Sequence, residues 1–229
     1  MTSVVMIHTV PVLIEMFDKL SAELLPDVQI LHILDEVILR KVHLNKGTAL
    51  REKEWLGILV RNAEEIGASA ILVTCTILST CVDELRPNVG IPIVKIDEMM
   101  IEKALSLGEK IAVIATNQDT LEPSTQLVLE YAIKKGKKVD VKSFWVEKAF
   151  DAIRQGDTDT HDRLVKKKIA ELAPKYDVII LAQASMARVV DTKNHANEYS
   201  VPILSSPHFA LLQLKHILDS RNKTSPSEE

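Results

Sequence analysis

The feature that most constrains how this chain can fold is an internal echo at nearly constant spacing. The strand-like Ile71–Val73 with the loop Thr74-Cys75-Thr76 returns as Ile179–Leu181 with Ala182-Gln183-Ala184, 108 residues on. Ile91-Pro92-Ile93 returns as Val201-Pro202-Ile203 at 110, and Met6-Ile7-His8-Thr9 as Ile114-Ala115-Thr116 at about 107. Landmarks that keep one order and one spacing imply a duplicated supersecondary unit. At 229 residues the chain is long enough for one large α/β domain or two small ones, and the echo favours two.

Within each copy, short apolar runs alternate with amphipathic stretches, the pattern of parallel strands joined by helices. Strands are expected at Val4–His8, Val28–Leu34, Ser69–Val73 and Ile91–Val94, then at Lys110–Ala115, Val139–Trp145, Asp177–Leu181 and Val201–Leu204. Helices are expected at Val12–Leu24, Gly47–Ile66, Asp97–Leu107, Glu147–Gln155, Asp159–Leu172 and Pro207–Leu218, with Ser79 or Thr80 capping one that ends at Leu85. Thr116–Thr120 reads as a polar loop and Pro123–Lys134 as a helix with proline in its first turn. Asn222–Glu229 reads as a polar tail with nothing to order it. The fold class is therefore α/β, two similar open parallel-sheet lobes, and the carboxyl ends of such strands are where ligands bind. The site is expected in the cleft between the lobes.

Composition excludes several functions. The net charge of −4 and pI near 6.0 give no basis for nucleic-acid or membrane-surface binding. The basic clusters at Lys134–Lys142 and Lys166–Lys168 are interleaved with other residues and read as solvated faces. The apolar start, Val4–Phe17, is interrupted by Pro11 and closed by Glu15 and Asp18, so neither an export signal nor a membrane span is expected, and the location expected is cytoplasmic. Two cysteines, Cys75 and Cys81, make no disulfide framework or CxxC motif, and no metal-ligand spacing occurs. No cofactor is expected.

One strand end carries chemistry. Cys75 stands between two threonines where a buried strand opens into a loop. A free thiol titrates near pH 8.5, and a helix starting just beyond it would lower that value and offer N–H groups to a carboxylate. His8, at the end of the first strand, is placed to take or share the thiol proton. Thr9, Thr76, Thr116, Asn117, Gln183 and Ser185 supply short polar groups at strand ends for gripping a substrate. Cys81 reads as core, His208 as a cap of the last helix, and Asp119 or Thr120 as a helix cap. His32, His43, His161, His195 and His216 have no companion feature and read as structural or exposed. Arg188 is the arginine nearest the proposed loops.

The loop around Cys75, the run Ile111-Ala-Val-Ile-Ala-Thr116, the Gly156-Asp157 turn, the loop Leu181-Ala-Gln-Ala-Ser-Met-Ala187 and the strand end Pro202-Ile-Leu-Ser-Ser-Pro207 together resemble the aspartate/glutamate/hydantoin racemase superfamily over nearly the whole chain. The resemblance implies a first lobe of residues 1–97 with 207–222, a second of 98–206, and a tail of 223–229. It also implies a last helix that crosses back to the first lobe, and a possible homodimer. In that family two cysteines, one per half, work on opposite faces of a substrate α-carbon without pyridoxal phosphate or metal. Cys75 matches the first, and the second position falls on Gln183. An amide has no proton equilibrium near neutral pH and cannot be the second acid/base. The resemblance thus implies an enzyme with cysteine-mediated proton transfer from one face only, at the α-carbon of a small carboxylic or amino acid. Decarboxylation of a malonate-like acid and thiol addition to an activated double bond are the branches with related chemistry. The competing expectation is a protein that binds a small dicarboxylate and catalyses nothing.

Overall fold

Six consecutive buried residues, Ser3–His8, form the strand β1 at the heart of the first unit. A computed structural model of the chain describes residues 2–44, 50–190 and 199–224. It divides into two compact units, Met1–Glu98 with Pro207–Glu229, and Met99–Ser206. In the first, β1 is followed by α1 (Val12–Leu24), β2 (Gln29–Leu34), α2 (Glu36–Leu44), α3 (Leu50–Glu65), β3 (Ala70–Val73), α4 (Ser79–Leu85) and β4 (Ile93–Lys95). The chain continues through α5 (Glu98–Leu107), β5 (Lys110–Ala115), α6 (Gln118–Lys134), β6 (Asp140–Trp145), α7 (Glu147–Arg154), α8 (Thr158–Leu172), β7 (Val178–Leu181), β8 (Ile203–Ser205) and α9 (Ser206–Thr224).

Each unit holds one parallel four-stranded sheet, in the orders β2-β1-β3-β4 and β6-β5-β7-β8. The central strands β1, β3 and β7 are buried along their length because helices cover both faces, which is why their sequences are unbroken apolar runs. On one face of the first sheet Val5, Ile7, Ile71 and Val73 meet Leu56, Val60 and Ala63 of α3 and Leu78 and Val82 near α4. In the second unit Ala112, Ile114, Ile179 and Leu181 meet Val165, Ile169 and Leu172 of α8. Cys81 lies in the first of these cores.

The repeat extends to individual backbone bonds. Thr74 N donates to Ile7 O at 3.0 Å, and Ala182 N to Ile114 O at 2.9 Å. Ile71 N donates to Pro92 O at 2.8 Å, and Ile179 N to Pro202 O at 3.0 Å. Both pairs fall where the sequence landmarks recur.

Several elements differ from the sequence expectation. The helix α2 was not anticipated: the Asp35 carboxylate accepts from the N–H groups of Val37 and Ile38 at 2.9 and 3.2 Å and starts it, and Ile38 and Val42 bury one face. The helix α6 begins at Gln118 rather than Pro123, because Asn117, not Asp119 or Thr120, is the cap, its Oδ1 accepting from Asp119 N at 3.0 Å. Pro123 therefore lies inside the helix, and Thr116–Thr120 is only partly loop. Ser79 is the first residue of α4 rather than its cap, since a 3₁₀ turn, Thr76–Leu78, comes first. Asp157 caps α8 by accepting from Thr160 N, and the preceding Gly156 closes α7 at φ +81°, a conformation that suits glycine. The last helix runs to Thr224, three residues into the tail expected at Asn222–Glu229; residues 225–229, and residues 47–49 of the helix expected at Gly47–Ile66, lie outside the described residues. Lys215 Nζ to Leu24 O and Arg221 Nη1 to Ser69 O tie α9 to the first unit.

Candidate active site

Cys75 stands two residues beyond the end of β3, in extended conformation (φ −120°, ψ 111°), and the chain then tightens into the turn Thr76–Leu78. The N–H groups of Ile77 and Leu78 and the Thr9 hydroxyl, just beyond β1, lie near enough to the sulfur to favour its thiolate form. The residue is only 8 % exposed. Burial pushes the thiol above its ordinary pKa. The Thr9 hydroxyl and the two backbone N–H groups oppose that, and the Asp97 carboxylate adds to it. The expected effect of the turn's N–H groups is thus present but outweighed by desolvation, and the resting group is the neutral thiol. Asp97, at the end of β4 and 3 % exposed, also accepts the Thr76 hydroxyl at 2.5 Å.

His8 is fully buried, and both its ring nitrogens are engaged. Nδ1 lies 3.0 Å from Thr74 Oγ1, and Nε2 lies 2.8 Å from His32 Nδ1. His32 Nε2 in turn lies 2.9 Å from Asp18 Oδ1. Burial, then the neighbouring His32, lower the His8 pKa to about 4, with Asp18 acting weakly the other way. The ring therefore faces Thr74 and His32, and the hydroxyl of the next residue, Thr9, is what holds the thiol. His32, expected to be merely structural, belongs to this chain.

The second unit repeats the arrangement with different chemistry. Gln183 follows β7 with φ −127° and ψ 130°, and Met186 N donates to its carbonyl at 2.9 Å, as Leu78 N does to Cys75 O at 3.1 Å. Its Oε1 accepts three bonds: Thr116 N at 2.6 Å, Thr116 Oγ1 at 2.9 Å and Asn117 N at 3.1 Å. The residue pairs correspond, Thr9 with Cys75 in one copy and Thr116 with Gln183 in the other. Trp145, at the end of β6, donates Nε1–H to Thr116 O at 3.0 Å and steadies that cradle from the side.

Other expected groups fall less centrally. Ser185 is half-buried in the 3₁₀ turn Ala184–Val189. Arg188 gives Nε and Nη2 to Asp162 Oδ1 at 3.1 and 2.9 Å and Nη2 to Thr158 O at 3.0 Å, so it braces α8 rather than waiting for a carboxylate. His208 lies in the first turn of α9, edge-on to Phe209. His161 is buried against Asp162, His216 is exposed, and the side chain of His43 and all of His195 lie outside the described residues. Asp97, His32, Asp18 and Trp145 were not singled out from sequence. Trp145 and Asp97 lie at or beside strand ends, a signal many polar residues share, while Asp18 within α1 and His32 within β2 carry none. Among the described residues no group of three His, Cys, Asp or Glu side chains is arranged to hold a metal ion, and no helix is long and apolar enough to cross a membrane.

The model of the Asp/Glu/Hydantoin racemase family matches residues 9–214, taking in both strand-end loops. The chain belongs to this family. No curated protein sequence matches it significantly. Solved structures share the racemase-family fold at low identity. Glutamate racemase isoform RacE1 from Bacillus anthracis is 18 % identical, with a TM-score of 0.72 over 98 % of this chain and 84 % of that one. An aspartate racemase homologue from Pyrococcus horikoshii OT3 is 16 % identical, with a TM-score of 0.70 over 96 % and 100 %. A variant of arylmalonate decarboxylase is 17 % identical, with a TM-score of 0.61 over 95 % and 93 %.

Proposed function

We propose that this racemase-family protein is a cofactor-independent enzyme acting at the α-carbon of a small carboxylic or amino acid, with Cys75 as its sole proton carrier. The observation that carries this reading is the unequal pair of equivalent strand ends. One presents a neutral thiol held by Thr9 and two backbone N–H groups, the other an amide whose oxygen is held by three donors. A neutral thiol is a proton donor, and an amide is not an acid/base at all near pH 7. Such a site suits protonation of a carbanion from one face.

Loss of CO₂ from a malonate-type acid fits best. The bond between Cα and the departing carboxylate breaks and its electron pair stays in an enediolate. The Cys75 S–H proton then goes to Cα, and water reprotonates the thiolate. That one structural neighbour is a variant of arylmalonate decarboxylase is consistent with this choice. In this reading the Asn117 side-chain amide and the Ser185 hydroxyl are the carboxylate-gripping groups of the second unit, since the Thr76 and Thr116 hydroxyls are already given to Asp97 and Gln183. Addition of Cys75 to an activated double bond needs the thiolate, which burial disfavours.

The test is incubation in D₂O with a panel of small amino, hydroxy and malonic acids. Deuterium at Cα or release of CO₂, both abolished in Cys75→Ala, is the expected result. Equal turnover of both enantiomers of one amino acid, lost in Cys75→Ala, would overturn the one-face mechanism. Acids that raise the melting temperature with no exchange in any of them would leave a binding protein.

A further inference from the structure

The strongest unexplained feature is a series of side chains running from the surface to the strand ends: Asp18 of α1, His32 of β2, His8 of β1 and Thr74 beyond β3. Its four contacts are Asp18 to His32 at 2.9 Å, His32 to His8 at 2.8 Å, His8 to Thr74 at 3.0 Å and Thr74 Oγ1 to Ile7 O at 3.1 Å. Each contact needs one hydrogen. Two neutral imidazoles and one hydroxyl supply three, while an ionised Asp18 and the Ile7 carbonyl only accept. The chain is completely bonded only with one further proton.

Every direction is then fixed. Thr74 donates to Ile7 O, His8 Nδ1–H donates to Thr74, His32 Nδ1–H donates to His8, and His32 Nε2–H donates to Asp18. The extra charge belongs on His32, which borders the carboxylate. His8 is buried, stacked on His32 with ring centroids 5.1 Å apart and tilted against Phe17 at 5.8 Å, with no anion of its own. Asp18 from α1 and His8 from β1 are the titratable groups that face His32 among the described residues, with side-chain exposures of 17 % for His32 and 58 % for Asp18.

The residues next in sequence to His8 and Thr74 are Thr9 and Cys75, and the Thr9 hydroxyl acts on the Cys75 sulfur in favour of the thiolate. We infer that His32, carrying a proton against Asp18, is a positioning residue that locks β2 to the ends of β1 and β3 and so sets the Thr9 hydroxyl beside the Cys75 sulfur. When His32 loses that proton, one contact in the series is left without a hydrogen and the lock loosens. The inference rests on Cys75 being the working group, but its test needs no substrate and so fails or succeeds separately from the proposed reaction.

Two measurements on the full chain decide it. In ¹⁵N-histidine NMR at pH 6, the expected spectrum shows one ring protonated on both nitrogens and one neutral ring protonated on Nδ1, both assignments changing in His32→Gln. The rate of Cys75 alkylation by iodoacetamide, followed by peptide mass spectrometry to separate it from Cys81, is expected to show an inflection in its pH profile besides that of the thiol. The inflection disappears in His32→Gln. In Asp18→Asn its midpoint moves down, because a contacting carboxylate favours the charged imidazole, and Asp18→Glu restores it. Two singly protonated rings throughout pH 5–8, or superimposable alkylation profiles for the wild type and the folded Asp18→Asn protein, would overturn the inference.

Discussion

Replacing His8 by asparagine and comparing stability at two pH values tests the electrostatics of the first strand end directly. The imidazole is fully buried and its pKa lies at about 4 against an ordinary 6.5. The unfolded chain takes up a proton at His8 as pH falls below 6.5, while the folded protein resists until pH approaches 4. Stability contributed by neutral His8 is therefore fully present above pH 6.5 and is lost on acidification through that window. The difference of about 2.5 pH units corresponds to roughly 3 kcal/mol by pH 4. At pH 7, His8→Asn loses the bonds to Thr74 and His32 and leaves unfilled volume, a cost of about 2–4 kcal/mol. Urea unfolding at pH 7 and pH 4, on wild type and variant, should show the gap between them narrowing by about 3 kcal/mol at the lower pH, because the variant has no imidazole to protonate. Carboxylate titration acts on both proteins and cancels in the comparison. A gap that stays constant within about 0.5 kcal/mol would mean that His8 accepts a proton in the folded state without penalty, and the account of its burial would be wrong.

The thiol can be tuned in both directions. Thr9→Val removes the hydroxyl that stabilises the thiolate and should slow Cys75 alkylation at pH 7.5 several-fold, while Asp97→Asn removes a repelling carboxylate and should speed it; stopped-time alkylation with mass spectrometry checks both. In the second unit, Gln183→Leu leaves three donors unmet and should cost about 1–3 kcal/mol in a denaturant titration. Gln183→Glu places a carboxylate in the same cradle and should retain wild-type stability at pH 7, losing it on acidification, because the three donors hold that carboxylate well below its usual range and the stability they add is lost as it protonates.

The fold was legible because its information is local and repeated. Buried parallel strands such as Ile71–Val73 and Ile179–Leu181 have to be apolar on both faces, and turn residues mark where they end. The helix α2 was not, because its start depends on one Asp35 carboxylate and its apolar face on two buried residues, Ile38 and Val42. Caps were misassigned where several polar residues sat together, as at Asn117, Asp119 and Thr120, and sequence offers no ranking among near-equal acceptors. In the site, Cys75 and Gln183 could be singled out because each stands at a fixed place in the repeat. The roles of Thr9 and His8 could not be separated, since the choice between them depends on which way two adjacent side chains turn at the end of β1. His32 lies 24 residues from His8 and Asp18 lies 14 from His32, and the three join only when α1 and β2 pack beside β1.

Cys75 and Gln183 stand in nearly the same backbone conformation, each followed by a 3₁₀ turn and a bond from three residues on. The main chain at these two places is accordingly indifferent to what it carries, and a thiol or an amide can be exchanged there without any strand, turn or helix being rebuilt. A single replacement at such a place can therefore alter the chemistry a strand end offers while the frame that presents it stays as it is. Proteins built this way would be expected to differ most in the two side chains at these sockets and least in the frames that present them.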